Sequence, residues 1–114
     1  MRNKLLALFV VMAPISCYAA GQYSCTPNAD KEIKRAITNY IVKTDISSKD
    51  VTIYAKKCVG DYAYAEVVPN KPITDNAMVY LHKESNGWQI MNWGTSFDQE
   101  FLDKLPQELR KPYP

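Results

Sequence analysis

Between residues 51 and 82 apolar side chains recur at every second position in three short runs, and this alternation constrains the fold more than any other feature of the chain. Successive side chains of a strand point to opposite faces, so each run has one face to bury. In 51–58, Val51, Ile53 and Ala55 oppose Thr52, Tyr54 and Lys56. In 62–68, Ala63, Ala65 and Val67 oppose Tyr62, Tyr64 and Glu66. The Val59-Gly60-Asp61 turn between them predicts a hairpin. The stretch 69–75 holds Pro69 and Pro72 and cannot continue a central strand, so it reads as a connecting loop. In 76–82, Ala77, Val79 and Leu81 oppose Met78, Tyr80 and His82, and Glu84-Ser85-Asn86-Gly87 turns the chain into a fourth run, 88–93.

The segment before the strands has a different period. Thr26 followed by Pro27 predicts an N-cap and a first-turn proline. Ala29, Ile33, Ala36, Ile37, Tyr40 and Ile41 then fall on one face of a helix of about four turns, with Asp30, Lys31, Lys34, Arg35 and Lys43 largely elsewhere. After the fourth run, Ser96 and Gln99 have capping-box spacing. A short helix starting near Phe97 gains an apolar side from Phe97, Phe101, Leu102 and Leu105, and Pro106 stops it. The expected class is α+β: an amphipathic helix packed on a four-stranded antiparallel sheet, followed by a short C-terminal helix.

The N-terminus has the three parts of an export signal: Arg2 and Lys4, an apolar run over 5–12, and small residues up to Ala19. The run is shorter than the roughly 20 residues needed to cross a bilayer. Residues 1–19 are therefore expected to be cleaved, leaving 20–114 as one small periplasmic or secreted domain. Lipid anchoring at Cys17 is a minor alternative, because Ser16 before it fits an acceptor site while Pro14 does not. Of 14 basic residues, Arg2 and Lys4 leave with the signal, so 12 basic residues balance 12 acidic ones. A neutral chain lacks the basic stripe of a nucleic-acid binder. The remaining cysteines, Cys25 and Cys58, read as one disulfide joining the helix entrance to the end of the first strand. Two cysteines and the single His82, without a close Cys-x-x-Cys pair, make a poor zinc set, so no metal is expected.

Provided no bulge shifts the register, the sheet has two unequal faces. Small aliphatic residues line one and suit a close-packed helix. The other carries Tyr54, Tyr62, Tyr64, Met78, Tyr80, His82, Met91 and Trp93. Aromatic residues and Met are enriched in recognition patches. Tyr54, Tyr62, Tyr64, Met78, Tyr80, Met91 and Trp93 are therefore the candidate binding residues. Two other readings compete with recognition: the C-terminal helix folds over this face, or the Tyr hydroxyls simply face water.

Catalytic patterns are sparse. There is no Gly-x-Ser-x-Gly, and the four glycines are isolated, so neither a nucleophile elbow nor a phosphate loop is encoded. His82 has no partner evident in the sequence and reads as a half-exposed strand residue. Glu66, between Ala65 and Val67, reads as a solvated or Lys-paired strand carboxylate. No cofactor is expected.

The order of helix, two hairpins and short helix resembles the cystatin-like and cone-shaped (NTF2-like) α+β folds. Asp61-Tyr62-Ala63, Val79-Tyr80-Leu81 with Lys83, Gly87-Trp88-Gln89-Ile90 and Gly94-Thr95 are similar to small exported bacterial domains of that kind. The likeness covers roughly the second half of the mature chain and rests on strand and turn residues, so it implies a fold and transfers no catalytic role. The function expected from these features is non-enzymatic binding of another protein, periplasmic or delivered, in an inhibitor or immunity role. The alternatives are a small-molecule or envelope-component binder using a concave sheet pocket, a small isomerase-like or hydrolase-like enzyme with Tyr, Asp or Glu66 as acid or base, and a homodimer packed through its aromatic faces.

Overall fold

The computed structural model describes residues 23–71 and 74–110. The expected export signal, Cys17, Pro72 and the last four residues lie outside them. The chain forms α1 (Pro27–Ile41), a single 3₁₀ turn (Ser48–Asp50), β1 (Val51–Val59), β2 (Tyr62–Pro69), β3 (Ala77–Glu84), β4 (Gly87–Gly94), α2 (Gln99–Leu102) and α3 (Gln107–Arg110). The four strands make one antiparallel sheet in sequential order. This is the expected α+β arrangement.

Thr26 is the N-cap of α1, its hydroxyl accepting from the Ala29 N–H at 3.1 Å, and Pro27 occupies the first turn. Ile33, Ile37 and Ile41 form the buried stripe of α1. They meet Ala63, Ala65, Val67, Val79 and Leu81 from the middle strands. The two alanines leave room for the helix to sit low on the sheet, which is what the small-residue face predicts. Gly60, at φ +60°, makes the β1–β2 turn in the left-handed region that other residues enter only with strain.

Two β-bulges correct the simple alternation. In β1, Ala55 pairs with Ala65 but Lys57 pairs with Tyr64, so Lys56 is an extra residue. Paired residues share a face, so this insertion turns Cys58 back to the helix side, opposite Ala63. Strict alternation from Ala55 would have aimed it away from Cys25. The Cys25–Cys58 disulfide forms with a Cα–Cα distance of 4.9 Å, and the Cys58 N–H donates to the Tyr23 carbonyl at 2.7 Å. In β4, Leu81 pairs with Ile90 and Tyr80 with Asn92, so Met91 is the extra residue. Every side chain after it changes face.

The C-terminal segment also departs from expectation. Asp98, not Ser96, caps α2, its carboxylate accepting from the Phe101 N–H at 2.9 Å. Pro106 separates two one-turn helices rather than ending a single longer one. Leu105 and Leu109 are buried together with Tyr64 and Tyr80, against Phe97, Phe101 and Leu102. The sheet is thus covered on both faces, by α1 on one and by the C-terminal segment on the other. Among the described residues no helix is long and apolar enough to cross a membrane.

Candidate functional site

The seven candidate residues do not form one surface. Tyr64 and Tyr80, at the centre of the aromatic face, are each 1% exposed. Their rings lie 5.2 Å apart, and Phe97 and Phe101 meet Tyr80 edge-on at 5.1 and 5.5 Å. The Tyr80 hydroxyl donates to the Leu109 carbonyl at 3.2 Å, and that of Tyr64 donates to Glu66 at 2.8 Å. Glu66, expected to be solvated or Lys-paired, is partly exposed and accepts from the Tyr64 phenol. Tyr62 and Met78 are half-buried beside this cluster. The covered-face reading is therefore the one the structure realises for the centre of the patch.

Trp93 is on the other face. It pairs with Val79, a helix-side residue, and stacks on Tyr40 of α1 at 5.1 Å between ring centres. The Met91 bulge is the physical reason, because one inserted residue reverses the orientation of all that follow. Met91 itself and Tyr54 remain exposed, Tyr54 on the outer strand β1 with the Lys56 ammonium 5.6 Å from its ring centre. His82 is half-buried, its ring 4.7 Å from that of Tyr62 and its Nδ1 3.4 Å from the Glu84 carboxylate. Tyr23 rests against the C-terminal segment. Burial there and the Glu108 carboxylate, which accepts its hydroxyl at 3.4 Å, hold its phenol above the ordinary value. Among the described residues no group of three or more His, Cys, Asp or Glu is placed to hold a metal ion.

Two concavities lie on the helix side. The larger, about 540 Å³, is a polar groove between α1 and the start of β4, bordered by Arg35, Lys43, Asn39, Glu32 and Gln89. Trp88 lies beneath it, 7% exposed, with an indole N–H that has no hydrogen-bond partner. The other, about 390 Å³, opens beyond the last turn of α1. Each strand contributes to it: Val51 from β1, Val67 from β2, Ala77 from β3, and Trp93 from β4. The loop after α1 supplies Asp45, Ile46 and Ser47, and the β2–β3 connection supplies Thr74 and Asp75. A volume of this size and an apolar lining with a few polar groups are the usual marks of a small-ligand pocket.

The walls of this cavity are fastened. The Thr44 hydroxyl donates to the Ile41 carbonyl at 2.7 Å and accepts from the Ile46 N–H at 3.1 Å, bending the chain away from the helix end. Asn70, just past β2, ties that strand's end to β1 and to the 3₁₀ turn before it. Its side chain accepts from Thr52 at 2.6 Å and donates to the Lys49 carbonyl at 3.1 Å, while its backbone N–H donates to the Asp50 carbonyl at 2.8 Å. Sequence reading missed this site because its aspartates sit in polar stretches that look like plain connections. The only signal was Trp93, assigned to the wrong face. Compared with models of known families, with curated proteins and with solved structures, the chain matches none.

Proposed function

We propose that this is an exported, non-enzymatic binding protein whose ligand is a small molecule or envelope component held in the helix-side cavity at Trp93. The observation that carries the reading is the four-strand apolar floor of a cavity of about 390 Å³ whose walls are hydrogen-bonded in place. The disulfide fits a chain that folds outside the cytoplasm. Of the five large hydrophobic residues left exposed among the described residues, Tyr40 and Ile46 come from the last turn of α1 and the cavity wall, and Val42 lies between them in sequence. Exposed apolar groups gathered in one region are a common mark of an interaction site. Binding is favoured over catalysis because Asp45, Asp50 and Asp75 stand in water, while the floor residues Val51, Val67, Ala77 and Trp93 carry no acid or base. The resemblance to cystatin-like and cone-shaped domains is compatible with this reading.

A neutral apolar dye such as N-phenyl-1-naphthylamine tests the proposal. The protein is expected to enhance its emission, and Ala77→Leu, which fills the floor, is expected to weaken binding about tenfold or more. Equal dye binding by Ala77→Leu and the parent, with both fully folded, would contradict the assignment.

A second reading, recognition of another protein in an inhibitor or immunity role, retains one observation. Tyr54 is 47% exposed on the outer strand β1, away from the covered centre of the aromatic face.

A further inference from the structure

We infer that the ligand of the Trp93 cavity is cationic: an apolar chain or ring bearing a primary or quaternary amine. This deepens the cavity reading above and rests on it. The inference comes from the charge distribution around an apolar floor. Three carboxylates, Asp45, Asp50 and Asp75, line the cavity together with Val51, Val67, Ala77 and Trp93. Among the described residues no Lys, Arg or His lines it. The neighbouring polar groove has the opposite balance, with Arg35 and Lys43 against Glu32. These two neighbouring concavities therefore carry opposite charge, although the mature chain is expected to be neutral overall.

The chemistry of the lining selects within ligand classes. A fatty acid or other apolar anion fits the floor but meets three like charges at the mouth. A neutral apolar molecule fits the floor and gains nothing from the rim. An amine on an apolar body uses both: its body displaces water from Val67 and Ala77, and its charge stays near the partly hydrated aspartates. Trp93 adds a third element. The face of an indole attracts an ammonium group, most strongly of all aromatic side chains. The stack on Tyr40, with planes 29° apart, fixes the orientation of that ring before any ligand arrives. The carboxylates are exposed, so their pull is long-range and salt-sensitive rather than a set of buried ion pairs.

The test compares three ligands of equal chain length, octyltrimethylammonium, octanol and octanoate, each titrated calorimetrically against the disulfide-intact protein at low salt. The expected order places the ammonium about tenfold tighter than the alcohol, and octanoate weakest. In Asp45→Asn/Asp75→Asn the advantage of the ammonium over octanol is expected to shrink severalfold, leaving what Asp50 and Trp93 supply. Raising the salt should shrink the same difference in the parent protein. Equal affinity for the ammonium and the alcohol in the parent, or an advantage undiminished in the double variant, would overturn the cationic inference while leaving the cavity proposal standing. Failure of all three ligands to bind, together with failure of the neutral dye, would remove both.

Discussion

Replacing Cys25 and Cys58 together by serine is expected to lower the unfolding free energy by about 4 kcal/mol. The bond closes a loop of 33 residues, and the chain-entropy treatment of an unfolded chain so constrained gives that figure. A domain of this size is stable by only about 5–10 kcal/mol, so the variant should sit near its folding threshold at 37 °C. The local geometry makes the loss larger rather than smaller. The bond holds the entrance of α1 against the end of β1, and the Cys58 N–H to Tyr23 carbonyl bond at 2.7 Å depends on the same juxtaposition. Urea unfolding of the parent and the double variant, both with intact mass confirmed, checks it. A large fall in midpoint is expected. Coincident curves would mean that the two sulfurs are not joined in the folded protein.

Removing the chain from Ser96 onward is expected to be at least as damaging. That segment supplies Leu105 and Leu109, both buried, and Phe97, Phe101 and Leu102 around them. Truncating one buried leucine alone typically costs about 2–5 kcal/mol, so Leu109→Ala should already lower the midpoint markedly. The full deletion also uncovers Tyr64, Tyr80 and Met78 and leaves the Tyr80 hydroxyl without the Leu109 carbonyl. What remains is a sheet with a bare aromatic face, which should self-associate or lose its fixed tertiary packing. Sedimentation and near-ultraviolet circular dichroism read both outcomes. A monomeric deletion protein with unchanged dichroism would show that the covering segment contributes little, and would return the aromatic face to consideration as a binding surface.

Much of this architecture is legible in the residues, because the signals are local. Thr26-Pro27 and the Ile33, Ile37, Ile41 spacing specify α1, and strict alternation specifies nine of the helix-facing residues of β1 to β3, Cys58 being added by the bulge. What escaped is non-local. The bulges at Lys56 and Met91 lie at residues with no special backbone demand, so neither leaves a mark such as glycine. One of them brings Cys58 to Cys25, a pairing for which the sequence argues from compartment rather than geometry. The other moves Trp93 from the aromatic face to the cavity. Composition leaves the covering of Tyr64 and Tyr80 open, since Leu105 and Leu109 reach them from two separate one-turn helices on either side of Pro106. The cavity itself is made by loop ends, where Asp45, Asp50 and Asp75 share no period, and Asn70 fastens the wall through the Lys49 and Asp50 carbonyls.

The two tryptophans separate the rival sites, because Trp93 lines the apolar cavity and Trp88 lies under the polar groove. Titrating octyltrimethylammonium into nitrogen-15-labelled protein and following the two indole N–H resonances therefore tests the central claim directly. The account predicts a saturable shift of the Trp93 indole with backbone shifts at Ala77 and Val67, while the Trp88 indole stays in place. A shift confined to Trp88, or one centred on Tyr54, Tyr62 and Met78, would contradict it.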